Sequence, residues 1–153
     1  MVRVENILCL TDFSEDSSNA LNYARTLAEL FSTRLIVMHV ISNPTSPIYG
    51  EIRGDYLMME KNAREKAQQN MEKYDGVLRD YPNHELVTRL GEIVPSVLDT
   101  VKNKNVGTVV LGSHGQGHHA LRHILLGSTT AKVLQSVSCP VMVVRHPGRP
   151  KAA

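Results

Sequence analysis

Five short, nearly unbroken apolar runs constrain this chain more than any other feature. They are Ile7–Leu10, Leu35–Val40, Glu85–Leu90, Val106–Leu111 and Pro140–Arg145. Between them the apolar residues recur at helical spacing. Ala20, Leu21, Ala24, Leu27, Ala28 and Phe31 fall on one face, with Ser14 or Asp16 as the helix cap. Ala63, Ala67, Met71, Tyr74 and Leu78 form the inner stripe of a long polar helix that follows the turn-rich Ser42–Pro47. Val94, Val97, Leu98 and Val101 mark a third helix with Pro95 in its first turn, and Thr129–Val137 a fourth, with Ala131, Val133 and Leu134 inward. Strands of such continuous apolar character are buried on both faces, so each face needs its own helices. The expected fold is therefore α/β: a five-stranded parallel sheet with helices on both faces and right-handed crossovers.

Bulk properties remove several functional classes. The 153 residues suit one domain, and 42% hydrophobic with 21% charged content is that of an ordinary globular protein. A net charge of +2 offers no basic surface, so no nucleic-acid partner is expected. The local excess at Arg145, His146, Arg149 and Lys151 lies in a Pro-Gly-rich end, read as a flexible tail over 147–153 beyond a domain of 1–146. Cys9 and Cys139 each adjoin an apolar run, where a thiol acts as a small hydrophobe. No signal-like leader or membrane-length apolar run is present, so a cytoplasmic protein without a membrane partner is expected.

Ligands of such sheets bind outside the carboxyl ends of the strands, where the strand order reverses. Two candidate groups stand there. Gly112, Gly115 and Gly117 follow the fourth run, and Gly127-Ser128-Thr129 opens the next helix. Together they suit a split anion cradle of loop amides and helix N-terminal amides. The absence of lysine after the last glycine excludes a P-loop. Asp12, next to Thr11, follows the first run. It can hold ribose hydroxyls or a phosphate-bound metal, or it can cap the first helix; the pattern does not choose.

His114, His118, His119 and His123 crowd the glycine segment. They read as exposed loop side chains, with proton-dependent phosphate contact as the competing role. No carboxylate or cysteine accompanies them in sequence, and no metal site is expected. His39 reads as a satisfied core histidine, and Arg122 as a solvated cation. No general base or nucleophile triad is evident, so the chain reads as a binding module rather than an enzyme, with slow nucleotide hydrolysis as the most that is expected.

Four places, taken in order, resemble the universal stress protein family. They are Ile7–Ser14, Met38-His39-Val40, Val110–Gly115 with Gly127-Ser128, and Ser138–Arg145 with its Cys-Pro-Val strand. The resemblance implies a Rossmann-like, adenine nucleotide alpha hydrolase-like fold and ATP or another adenine nucleotide, with or without Mg, at the carboxyl edge. Asp12 would serve the nucleoside and Val40 the adenine. Gly112, Gly115, Gly127, Ser128 and Thr129 would take the phosphates, with Thr11, His114 and Gly117 beside them. It also implies a homodimer through the last strand, Val141, Met142, Val143 and Val144, acting as a stress-response switch on an unknown regulatory protein partner. The rival is a nucleotide-free interaction or chaperone-like member. Two departures stand out. Eleven residues separate Gly115 from Gly127 where the family pattern has nine, and Leu10 occupies a position that is often proline.

Overall fold

The computed structural model describes residues 4–42, 53–114 and 126–145. In chain order these form β1 (Asn6–Leu10), α1 (Glu15–Phe31), β2 (Leu35–Ile41), α2 (Arg53–Val77), β3 (His84–Leu90), α3 (Ile93–Asn103), β4 (Val106–Gly112), α4 (Ser128–Ser136) and β5 (Val141–Val144). All five strands pair in parallel, in the order β3-β2-β1-β4-β5. The expected sheet is the observed one. The expected tail, 147–153, lies outside the described residues, as do Gly115, Gly117, His118, His119, Arg122 and His123.

Alternation along the strands divides the core in two. Ile7, Cys9, Leu35, Val37 and Val110 pack on one face with Ala20, Leu21, Ala24 and Ala28 of α1 and with Leu78 just beyond α2. Leu8, Leu10, Ile36, Met38, Val109 and Leu111 pack on the other with Val97 of α3 and Val133 of α4. Each central strand thus sends successive residues into different hydrophobic layers, which is why its apolar run is unbroken. Burial pushes the Cys9 thiol up to about 12, so it is a neutral core group at physiological pH.

The helix faces correct three readings. Phe31 is 52% exposed at the last residue of α1, Leu98 is 40% exposed on α3, and Leu134 is 45% exposed on α4. Helix α4 turns Thr130 and Val133 inward instead, and partly buried Val137 follows at the cap, a three-then-four spacing that leaves Leu134 off the buried line. On α3 the inward line runs through Val97 and the fully buried Thr100, whose hydroxyl donates to the Ser96 carbonyl. The stripe expected on α2 holds: Ala67, Met71 and Leu78 are buried, and Tyr74 and Ala63 are partly so.

Two devices shape the carboxyl edge. Ser14 caps α1, its hydroxyl accepting from Ser17 N at 3.2 Å, and acidic Glu15 and Asp16 occupy the positive end of the helix. Gly91, at φ +138°, turns the chain from β3 into α3 and donates its N–H to the Ile41 carbonyl at 3.0 Å. Leu8 lies fully buried on the central strand. Leu8→Ala is expected to destabilise the protein by about 2–5 kcal/mol, read as a lower urea midpoint at unchanged slope.

Candidate functional site

The strand order reverses between β1 and β4, since β1 connects outward to β2 while β4 lies on its other side. At that point the two crossovers leave in opposite directions and a cleft opens, with a volume of about 190 Å³. It runs over the carboxyl ends of β2, β1 and β4. His39, Val40 and Ser42 line it at one end, with Ile93 of α3. Thr11 and Asp12 lie in the middle, and Gly112, His114, Thr129 and Thr130 at the other end. Two strand spacings give about 10 Å from β2 to β4.

The middle of the cleft is built by the turn between β1 and α1. Asp12 Oδ1 accepts from Ser14 N at 3.0 Å, so the carboxylate shapes the start of α1 while also lining the cleft. Ser14, not Asp12, is the helix cap; Asp12 closes the turn before it and keeps its carboxylate at the cleft. Thr11 is buried, with its hydroxyl donating to Ser17 Oγ at 3.1 Å, accepting from Phe13 N at 3.0 Å and lying 3.0 Å from Tyr74 OH. Its role is to fix the floor.

Phe13 takes a left-handed backbone, φ 63°, which is strained for a bulky residue. Its ring is held between His39, with centroids 4.4 Å apart, and Tyr74 at 5.7 Å. His39 Nδ1 lies 2.8 Å from the Thr11 carbonyl, which only accepts, so that nitrogen carries hydrogen. The sequence reading of His39 as satisfied is correct, and the side chain also borders the cleft.

The far end is built by β4 and α4. Gly127 N donates to the Ser113 carbonyl at 2.8 Å, and Thr130 Oγ1 donates to the Gly112 carbonyl at 2.8 Å. These bonds pin the start of α4 against the end of β4. Gly127 caps the helix without a side-chain bond, and no acidic residue occupies the first turn. Ser128 and Thr129 are exposed there. A helix start with neither acidic side chain nor side-chain cap presents N–H groups and a positive dipole end to an anion.

Gly112 has a structural reason of its own. A Cβ there would stand 3.0–3.1 Å from the backbone and Cβ of Asp16, so only glycine lets α1 approach the end of β4 this closely. The sequence reading gave it phosphate approach or turn geometry, and no packing role. His114 departs from its reading as an exposed loop side chain: it is buried, and its Nδ1 lies 2.9 Å from Ser113 Oγ and 3.8 Å from Asp16 Oδ2. A carboxylate does accompany it, but from 98 residues earlier in the chain, where no local pattern points to it. Ser17, Ser42 and Ile93 also line the cleft without having been singled out from sequence. Among the described residues no group of three metal-ligating side chains forms, and no helix is long and apolar enough to cross a membrane.

The sequence pattern of the universal stress protein family matches residues 3–145. This chain belongs to that family. A universal stress protein of Bacillus subtilis, YxiE, is 30% identical over 156 residues, covering 91% of this chain and 97% of its own. The solved structure of hypothetical protein MJ0577 of Methanocaldococcus jannaschii matches with a TM-score of 0.81 at 26% identity, over 97% of this chain and 100% of that one. A universal stress protein from Archaeoglobus fulgidus, solved in complex with dAMP, shares the fold at a TM-score of 0.56 and 17% identity, over 94% of this chain and 99% of that one.

In this universal stress protein the contact between Gly112 and Asp16 ties the cleft to the fold. Gly112→Ala is expected to lower stability by about 1–3 kcal/mol, because the methyl meets backbone rather than a side chain that can swing away. Urea unfolding checks this; an unchanged midpoint would mean that α1 yields without cost.

Proposed function

We propose that this universal stress protein binds an adenine nucleotide, ATP in the first instance, and acts as a dimeric stress-response switch. The observation that carries the reading is the course of the cleft, from apolar Val40 and Ile93 through Asp12 to the amide-rich start of α4. An apolar pocket, a carboxylate able to accept from ribose hydroxyls and an anion-binding helix start follow one another in the order of base, sugar and phosphate. The dAMP complex of the Archaeoglobus fulgidus relative supports the same class of ligand.

In this arrangement Val40 and Ile93 would cover the base, Asp12 would hold the sugar, and the Ser128 and Thr129 amides would take the phosphates. Gly115 and Gly117 would complete the cradle from the segment outside the described residues. Magnesium would arrive on the phosphates, in keeping with its habit of retaining water and sharing substrate oxygens. Nucleotide binding would then act by favouring one arrangement of the 112–127 segment over another, in proportion to its differential affinity for the two.

The dimer would form through β5. Among the described residues that strand pairs only with β4, and Met142 is exposed on it. An unpaired apolar edge is a template for a second strand, so a second copy would satisfy it. A nucleotide-free interaction protein is the rival reading, and Leu57, Met58 and Met59, all exposed on α2, favour it as a partner surface.

Calorimetric titration with magnesium-ATP, with AMP for comparison, separates the two readings. One ATP per chain, bound more tightly than AMP, is expected; no heat with either nucleotide, in protein freed of retained ligand, would favour the rival. Gly127→Val is expected to abolish binding, because its branched side chain blocks the approach of phosphate. The backbone there, φ −59° and ψ 153°, is one that valine adopts without strain, and because the position is buried a thermal melt of the variant checks that the fold is kept. Met142→Arg is expected to convert dimer to monomer in sedimentation velocity.

A further inference from the structure

Tyr74 of α2 touches both chain neighbours of Asp12, yet it is not among the described residues that line the cleft. Its hydroxyl lies 3.0 Å from Thr11 Oγ1, and its ring centroid lies 5.7 Å from that of Phe13. Asp12 stands between these two residues, with its carboxylate at the cleft. Tyr74 thus holds the turn from behind, on the face of the sheet that α1 covers.

Proton counting gives the hydrogen bonds around Tyr74 a direction. A hydroxyl has one proton to donate and two lone pairs to accept with. Ser17 Oγ donates at 2.9 Å to the Ser14 carbonyl, which only accepts, so Ser17 has no proton for Thr11. Thr11 therefore gives its own proton to Ser17 Oγ, at 3.1 Å. Of its two lone pairs, the Phe13 amide takes one, at 3.0 Å. The Tyr74 hydroxyl donates to the other, and Ser18 Oγ, 3.3 Å away, donates in turn to Tyr74. The chain runs from Ser18 through Tyr74, Thr11 and Ser17 to the Ser14 carbonyl. Tyr74 is its one member from outside the β1–α1 segment.

The backbone of Thr11 is fixed to β2. Its amide donates to the Met38 carbonyl at 2.9 Å, and its carbonyl accepts from His39 Nδ1 at 2.8 Å. The Thr11 side chain and the left-handed Phe13 backbone, φ 63°, have no such anchor in the sheet ladder. A bulky residue keeps that conformation only where its surroundings impose it. Tyr74 acts on both, through its hydroxyl on Thr11 and its ring beside Phe13.

We propose that Tyr74 is a positioning residue that sets the Asp12 carboxylate to accept from ribose hydroxyls, and so makes the cleft selective for ribose over deoxygenated sugars. The proposal rests on the nucleotide reading above and assigns its sugar selectivity to a residue behind the cleft. Hydrogen bonds weaken steeply as their angle and length depart from a narrow range. A small rotation of the turn therefore costs the sugar contacts and leaves those to base and phosphate in place.

The test is calorimetry with magnesium-ATP and with magnesium-2′,3′-dideoxy-ATP, on the wild-type chain and on Tyr74→Phe. Wild type is expected to bind ATP about tenfold more tightly than the dideoxy form, since hydrogen bonds to a charged acceptor are the stronger kind. Tyr74→Phe, which keeps the ring beside Phe13, is expected to bring that ratio to about twofold or less by weakening ATP alone. A role in the fold alone would weaken both ligands equally or neither, and a ratio left unchanged would overturn the proposal. In an Asp12→Ala background Tyr74→Phe is expected to change the ratio no further, and a further fall there would overturn it too. Equal binding of both ligands to wild type would overturn the proposal and leave the nucleotide reading standing. Binding of neither would overturn both readings. Should Tyr74→Phe not fold, Thr11→Val removes the same bond from its other end, and a ratio kept in that variant decides against the proposal.

Discussion

Everything in this molecule depends on the burial of its sheet from both sides. A parallel strand with solvent on neither face needs helices above and below, and the chain reaches both layers only by reversing direction once across the sheet. That reversal falls between β1 and β4. Neighbouring crossovers diverge there, and among the described residues the gap at the carboxyl ends stays open as the cleft. The cleft is thus a consequence of how the hydrophobic layers are covered, and the residues that line it are those at which the strands happen to stop.

The close approach of α1 to β4 gives the cleft its particular chemistry. Because Gly112 lacks a side chain, the first turn of α1 lies against the end of β4, which carries Asp16 to Ser113 and His114. The start of α4 is fastened at the same place: its Thr130 hydroxyl and Gly127 amide bond to the carbonyls of Gly112 and Ser113. The end of β4 thus meets α1 on one side and the start of α4 on the other, and Gly112 answers a packing demand in its own right.

A second network holds the middle of the cleft. Tyr74 of α2 reaches Thr11 at 3.0 Å and Ser18 at 3.3 Å, and its ring lies near Phe13, whose backbone is left-handed. Strain of order 1–3 kcal/mol at such a residue persists only where surroundings over-determine it. Here the Thr11 hydroxyl takes the Phe13 amide, and His39 packs on the Phe13 ring. The turn that presents Asp12 is fastened to three elements, which keeps the carboxylate in place.

The sequence by itself determined the elements, their order and the parallel sheet, because unbroken apolar runs and helical spacing are local patterns with few physical solutions. It also placed Asp12, Val40, Gly112 and Gly127 at strand ends or a helix start, since a ligand site in such a sheet has one location. Leu98 and Leu134 escaped it, because helical spacing offers neighbouring lines of residues and only packing against the sheet selects the buried one. Asp16 escaped it more completely. In the sequence it is one more polar residue at a helix start, a position where carboxylates need no further reason. Its burial, its bond from Ser113 and its approach to a histidine 98 positions away exist only after β1 and β4 have paired. Contacts between residues distant in the chain carry no local signature, so they were for the tertiary structure to decide.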